Sequence, residues 1–291
     1  MTVSSSLALA GAGLLVLVPP SPTPSPVPEL RSLYFVAVDQ KGGPEGGLAP
    51  EEVAVLEDGV ARVVSTVEPD TRPLTLMLLL DSSQKMGPSF RLELVDGVSH
   101  FLPTLPLGTQ FTIWICGERP RKIVDFTDDA PEAVRALRKV FPEGGNTLLD
   151  AIPEASRELK KKEGIRSAMI ILTGIGEDVS NRDQFRAVDE SVRNATTFMA
   201  LEFEEGGALF ETRTKYDFTL GALTSRTGGI YERLLTPMGT KDALDKVGAA
   251  LRSTYKVKYA SGGGDPKKLT VVVARPGVKV ILGTDQKGNA S

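Results

Sequence analysis

Leu74-Thr-Leu-Met-Leu-Leu-Leu80, running directly into Asp81-Ser-Ser83-Gln-Lys85-Met86, is the stretch that decides the fold. A short, nearly continuous apolar run has no polar face to offer solvent, so it suits a strand covered on both sides, as in a parallel sheet. Phe111–Cys116, Ala168–Leu172 and Thr197–Leu201 repeat the pattern. Between these runs the apolar spacing changes to that of helices: Leu94, Val98 and Phe101; Val134, Leu137 and Phe141; Phe185, Val188 and Val192 each fall on one face. Pro131 fits a first helical turn, and Ser180 with Asp183 reads as a capping box. Pro153 is discordant and predicts that the helix after Thr147 begins late or bends. Strands alternating with helices predict an α/β fold, a doubly wound and mostly parallel sheet.

Outward from this block, on both sides, the period returns to that of strands. Leu33–Val38, Val53–Leu56 and Val60–Val67 are β-rich, and the last two flank Asp58-Gly59, a strong hairpin signal because both residues tolerate positive φ. After Leu201 come a helix near Phe218–Thr224, a short strand at Gly229–Glu232 and a helix from Thr240 to about Thr254 with Leu244, Val247 and Leu251 on one face. Tyr255, Val257 and Tyr259 then alternate, a turn follows at Gly262–Pro266, and Leu269–Val273 and Val278–Leu282 flank Pro276-Gly277. These last strands are expected to join the amino-terminal ones in a small accessory β unit. The organisation is then a targeting segment at 1–18, a spacer at 19–28, a β unit at 29–72, the α/β domain at 73–254, carboxyl-terminal strands at 255–283 and a tail at 284–291.

Leu7–Val18 has the length of a signal-peptide core and is short for a membrane span. Residues 2–6 hold no Lys or Arg and no clear cleavage site precedes Pro19, so an uncleaved anchor is the alternative reading, and this is the membrane contact expected. No Cys follows the run, which gives no support to lipoprotein attachment. Pro19-Pro-Ser-Pro-Thr-Pro-Ser-Pro-Val-Pro28 forms an extended, semi-rigid spacer. Together they predict an extracytoplasmic location.

With 41% hydrophobic and 24% charged residues over 291 positions, the chain can bury a sizeable core. A formal net charge of -3 without a sustained basic run argues against nucleic acid; Lys160, Lys161 and Lys162 read as a solvated helix end. Cys116 and His100 are the sole residues of their types, which excludes an internal disulfide and zinc sites built from Cys and His. Cys116 sits in an apolar strand run and reads as a buried small hydrophobe.

Three segments in order, Leu78-Leu-Leu-Asp81-Ser-Ser83-Gln-Lys85-Met86, Gly144-Gly-Asn-Thr-Leu-Leu-Asp150-Ala-Ile152 and Ile170-Ile-Leu-Thr-Gly174-Ile-Gly-Glu-Asp178, resemble the ligand loops of a von Willebrand factor type A (VWA) domain. The flanks Gly47-Leu-Ala-Pro-Glu-Glu-Val-Ala-Val-Leu-Glu-Asp-Gly59 and Leu251-Arg-Ser-Thr-Tyr-Lys-Val-Lys-Tyr259 resemble those of exported VWA-related proteins of acidobacteria, and the likeness covers about 30–283. The resemblance implies a metal-ion-dependent adhesion site at the carboxyl edge of the sheet, completed by a carboxylate of the partner. Against the family's Asp-x-Ser-x-Ser, Asp81 and Ser83 match and Lys85 takes the last serine's place. Asn146 stands where a threonine follows two glycines, with Thr147 one residue later, and Gly174-Ile175 stands where the third loop has Asp-Gly, leaving Asp178 to reach back. Asp81, Ser83 and Thr147 are what remains to hold Mg²⁺. The losses predict negligible Mg²⁺ or Mn²⁺ binding, hence no cofactor, with Lys85 either pairing with Asp81 in the ion's place or extending into solvent. Without the resemblance, Asp81 and Ser83 read equally as a strand-end turn with a helix cap.

The function expected is recognition of a protein or peptide ligand, with Asp81, Ser83, Lys85, Asn146, Thr147, Gly174 and Asp178 forming the rim. An assembly scaffold in an envelope complex is the alternative. A hydrolase using Ser83 with Asp81 or His100 ranks below both: the serine needs a base in reach, and His100 falls about five helical turns downstream. No Gly-x-Ser-x-Gly or phosphate loop appears, so the chain reads as a non-enzyme.

Overall fold

A computed structural model describes residues 29–43, 45–162, 166–194, 196–204 and 210–282. The expected targeting run, the proline spacer and the tail lie outside the described residues. In chain order the strands are β1 (Leu30–Val38), β2 (Val53–Glu57), β3 (Val60–Arg62), β4 (Val64–Pro69), β5 (Leu74–Leu80), β6 (Gln110–Cys116), β7 (Pro120–Thr127), β8 (Arg166–Gly174), β9 (Thr197–Phe203), β10 (Tyr231–Leu234), β11 (Thr254–Ala260), β12 (Leu269–Val273) and β13 (Lys279–Ile281). The helices are α1 (Gly87–Ser89), continued through a π-helical turn at Phe90–Leu94 into α2 (Val95–Phe101), then α3 (Ala130–Leu137), α4 (Leu148–Lys160), α5 (Gln184–Val192), α6 (Phe210–Thr227) and α7 (Thr240–Arg252).

The central sheet has the order β10-β9-β8-β5-β6-β7, parallel except for β7, which runs antiparallel to β6 at the edge. Every residue of β5 is buried. Leu74, Leu76, Leu78 and Leu80 pack into a core shared with Leu94, Val98 and Phe101 of the first helix and Leu244, Val247 and Leu251 of α7. Met77 and Leu79 face the other way, against Leu148 and Ile152 of α4 and Tyr216 and Leu220 of α6. The run is apolar on successive residues because helices cover both faces, as the doubly wound reading requires. The edge strand β7 escaped that reading because Pro-Arg-Lys-Ile-Val-Asp-Phe-Thr is half solvated and carries little apolar signal.

Local expectations fared unevenly. Pro131 lies in the first turn of α3, where Asp129 accepts from the Glu132 backbone N–H at 2.8 Å. α4 begins directly after Thr147 and continues through Pro153 to Lys160, so the late start does not materialise. The expected capping box is corrected: Asp183 caps α5 through the Arg186 N–H at 2.9 Å, while Ser180 Oγ accepts from the Leu149 N–H of α4. Phe141 falls beyond the end of α3 and is exposed under the Arg91 guanidinium, 5.1 Å from the ring centroid. Phe185 is exposed too, set edge-on to Phe218 at 4.9 Å.

The amino- and carboxyl-terminal strands form the accessory β unit, divided into two sheets: β13-β1-β11-β4 and β12-β2-β3. Leu33, Phe35, Val55, Tyr255, Val257, Tyr259 and Val271 fill the space between them. Asp58 at φ 50° and Gly59 at φ 85° make the β2–β3 turn. The Pro276-Gly277 turn sends β12 and β13 to different sheets, with β12 on β2 and β13 on β1. Val36 and Val38, on the outward face of β1, join the core that contains α7, so the accessory unit is packed onto the α/β part through β1. Among the described residues no helix is long and apolar enough to cross a membrane.

Candidate functional site

β5 and β8 end side by side, Leu80 opposite Leu172, and the Asp81 N–H bonds to the Leu172 carbonyl at 2.8 Å. That places the Asp81 carboxyl group, fully buried, at the carboxyl edge of the sheet. Oδ1 accepts from the Ser83 N–H at 2.8 Å. Oδ2 accepts from Asn146 Nδ2 at 2.7 Å, Thr173 Oγ1 at 3.1 Å and the Gly174 N–H at 3.0 Å. Burial pushes the Asp81 carboxyl up to about 6, with the hydrogen bonds from Ser83, Gly174 and Thr173 pulling the other way.

Asn146 reaches Asp81 because the second and third loops are zipped together. Its N–H donates to the Glu177 carbonyl at 2.7 Å, its carbonyl accepts from Val179 at 3.0 Å, and it forms a parallel bridge with Asp178. Asn146 Nδ2 also lies 3.1 Å from Thr173 Oγ1, so one carboxamide links the ends of β5, β8 and the second loop. Asp150, in the first turn of α4, accepts from the Asn181 and Arg182 N–H groups at 2.8 and 3.1 Å and from Arg182 Nη1 at 3.0 Å. With Ser180 Oγ receiving the Leu149 N–H, the third loop is latched to α4 in both directions. Sequence reasoning quoted Asp150 within its motif without giving it this role. An acidic residue one turn into a helix was the available signal, but its partners are about thirty residues away.

The structure gathers only part of the expected rim. Asp81, Asn146 and Gly174 are in direct contact, with Thr173 joining them. Thr147 is turned away, its hydroxyl donating to the Gly117 carbonyl at 2.9 Å. Asp178 does not reach back: Oδ1 accepts from the Ser180 N–H at 3.2 Å and Oδ2 lies 3.7 Å from Lys215 Nζ of α6. The stem of Lys85 lies over Gly176 and Gly174, whose added Cβ atoms would meet Lys85 Cβ at 3.0 Å and Cγ at 3.7 Å respectively. Ser83 is buried, with its hydroxyl beside the Asp81 carboxyl group. Ser83, Gln84, Lys85, Gly144, Ile175, Gly176 and Glu177 line an open cleft of about 370 Å³.

A hard divalent cation asks for oxygen ligands in open, convergent positions, and the edge offers one carboxylate, Asp81, beside the buried Asn146 Oδ1 and Ser83 Oγ. Both Asp81 oxygens already accept hydrogen bonds and Thr147 is committed to Gly117. Gly174 brings no carboxylate, and the space a side chain would take there is closed by Met86, whose Sδ lies 2.8 Å from the position of an added Cβ. A thioether is a poor ligand for such an ion. Among the described residues no group of three His, Cys, Asp or Glu side chains is placed to hold a metal.

The family model of the von Willebrand factor type A domain matches residues 76–177, a span running from β5 through all three loops. Among solved structures, a von Willebrand factor type A protein from Catenulispora acidiphila is similar with a TM-score of 0.53 at 12% identity, over 89% of this chain and 74% of that one. Proximal thread matrix protein 1 from the mussel byssus, with a zinc-occupied MIDAS motif, is similar with a TM-score of 0.53 at 15% identity, over 68% of this chain and 50% of that one. No curated protein matches. At these identities the structural likeness is one of fold; together with the family match and the three loops in order on one sheet edge, it shows that the chain carries a von Willebrand factor type A domain.

Proposed function

We propose that the chain is an extracytoplasmic recognition protein that receives a protein or peptide partner at the carboxyl edge of its central sheet and performs no catalysis there. The observation that carries this reading is the cleft between the first and third loops, whose walls are held in place before any ligand arrives. Open α/β sheets place ligands at this edge. Val179 on the third loop, Phe185 on the first turn of α5, and Leu235 and Met238 after β10 are exposed apolar side chains at the same edge. Apolar anchors beside a polar cleft suit a macromolecular partner better than a small solute. A serine nucleophile would need a base in hydrogen-bond reach. The Ser83 hydroxyl has no histidine in reach: His100 lies on α2, 3.8 Å from Asp245 of α7. The apolar run at Leu7–Val18 and the proline spacer support export.

A photo-crosslinking residue at the exposed Gln84, introduced into the full-length protein in its native cells, tests the site. A discrete crosslinked partner that disappears on Glu177→Arg is expected. A crosslink indifferent to Glu177→Arg, or hydrolase turnover lost on Ser83→Ala, would contradict the reading. Protease accessibility in intact cells tests the location: protection of the folded part in the cytosol would refute export.

A further inference from the structure

We propose that the carboxamide of Asn146 stands where the domain's cation would bind, so that the rim is assembled permanently and without regard to divalent ions. This rests on the edge being a recognition surface only for its biological meaning; the wiring itself is a property of the free chain. A carboxylate taken fully out of water needs compensation from a cation or from several donors. Asp81 has the second kind: Oδ2 accepts from Asn146 Nδ2, Thr173 Oγ1 and the Gly174 N–H, and Oδ1 from the Ser83 N–H. The Asn146 bond at 2.7 Å comes from a loop 65 residues away in sequence. It ties the first loop to the second, which is the mechanical task of a shared ion.

The remaining elements agree. The Thr147 hydroxyl is spent on the Gly117 carbonyl, and Met86 occupies the space that a side chain at position 174 would need. The third loop is held by the backbone of Asn146 and by Asp150, bonds that involve no ion. Removal of divalent cations therefore leaves every one of these connections in place.

The test is thermal unfolding of the full-length protein in chelator and in millimolar Mg²⁺ or Mn²⁺, paired with the electron paramagnetic resonance signal of bound Mn²⁺. Wild type is expected to melt at the same temperature in all three solutions and to bind no Mn²⁺. Asn146→Asp changes one donor nitrogen to an oxygen facing Asp81. In chelator it is expected to melt about 5 °C or more below wild type, and the two facing carboxylates are expected to capture Mn²⁺. Should that variant fail to accumulate, Asn146→Ser, too short to reach Asp81, is expected to show the same cooler melt. Bound Mn²⁺ or a cation-dependent melt in wild type overturns the proposal. So does an Asn146 variant as stable as wild type in chelator, because the amide would then support nothing. None of these readouts involves a partner, so failure of the recognition reading leaves them unaffected.

Discussion

Two buried carboxylates stand at the carboxyl edge on either side of β8, and they are compensated in opposite ways. Asp81, at the end of β5, meets four neutral donors. Glu202 on β9, opposite Thr173 of β8, sits among ionisable groups. Its Oε2 accepts from the Tyr231 hydroxyl at 2.5 Å, and its Oε1 lies 3.8 Å from Arg233 and 4.0 Å from Arg213 without a hydrogen bond. Asp217 shares both Tyr231 and Arg233. Burial pushes the carboxyl of Glu202 above its ordinary value as it does that of Asp81. The contrast separates a hub of neutral donors, two of them backbone N–H groups, from an ionic cluster in which the arginines near Glu202 are partly solvated and stand 3.8 and 4.0 Å away.

The largest effect should come from disturbing the hub. In Asp81→Asn either orientation of the new amide sets an NH₂ group against a backbone N–H, of Ser83 or of Gly174. A loss of about 3 kcal/mol or more is expected in denaturant unfolding; a loss below about 1 kcal/mol would place the hub on a level with the cluster. Gly174→Asp comes next, because its side chain must displace Met86, at an expected cost of about 1–3 kcal/mol. Shortening the obstacle in Met86→Ala, Gly174→Asp should make the two changes cost less together than their sum. Asp150→Ala unlatches the third loop, leaving the Asn181 and Arg182 N–H groups without their acceptor. Faster amide hydrogen exchange confined to 177–182 would show it, and unchanged exchange there would remove Asp150 from the account.

The smallest effect belongs to the cluster. Glu202→Gln keeps an acceptor for the Tyr231 hydroxyl and gives up only the long contacts to Arg213 and Arg233, so it should cost less at neutral pH than Asp81→Asn. Its signature is in pH dependence. A carboxyl whose folded value is raised holds its proton longer in the folded state, so its contribution to stability falls as pH rises from 4.5 through the raised value. The glutamine variant should lose that part of the slope, and an unaltered slope would show that Glu202 does not titrate with folding.

The same contrast shows what sequence can and cannot convey. The doubly wound core was legible because runs such as Leu74–Leu80 record burial on both faces directly, and Asp58-Gly59 because its backbone demand is local. The three loops were legible as an ordered set, as were the departures at Lys85, Asn146 and Gly174. What replaced the missing ligands was not. Asn146 appeared as an absent threonine, and nothing within its own segment says that its amide meets Asp81, because that contact depends on the bridge to Asp178 and on the end of β8. Lys85 was the charged candidate and drew attention for that reason, while the neutral amide that meets Asp81 did not. Met86 is core, and its second role beside Gly174 is a matter of packing that no sequence pattern records. β7 was missed because an edge strand with one wet face leaves little apolar trace.

The claim that a protein hydrogen bond does the work of an ion is tested most directly by a double-mutant cycle between Asp81→Ala and Asn146→Ala, measured by denaturant unfolding in chelator and again in millimolar Mg²⁺. The account predicts that the two changes are strongly non-additive, with a coupling of about 1–3 kcal/mol that is the same in both solutions. Additive losses, or a coupling that differs with Mg²⁺, would contradict it.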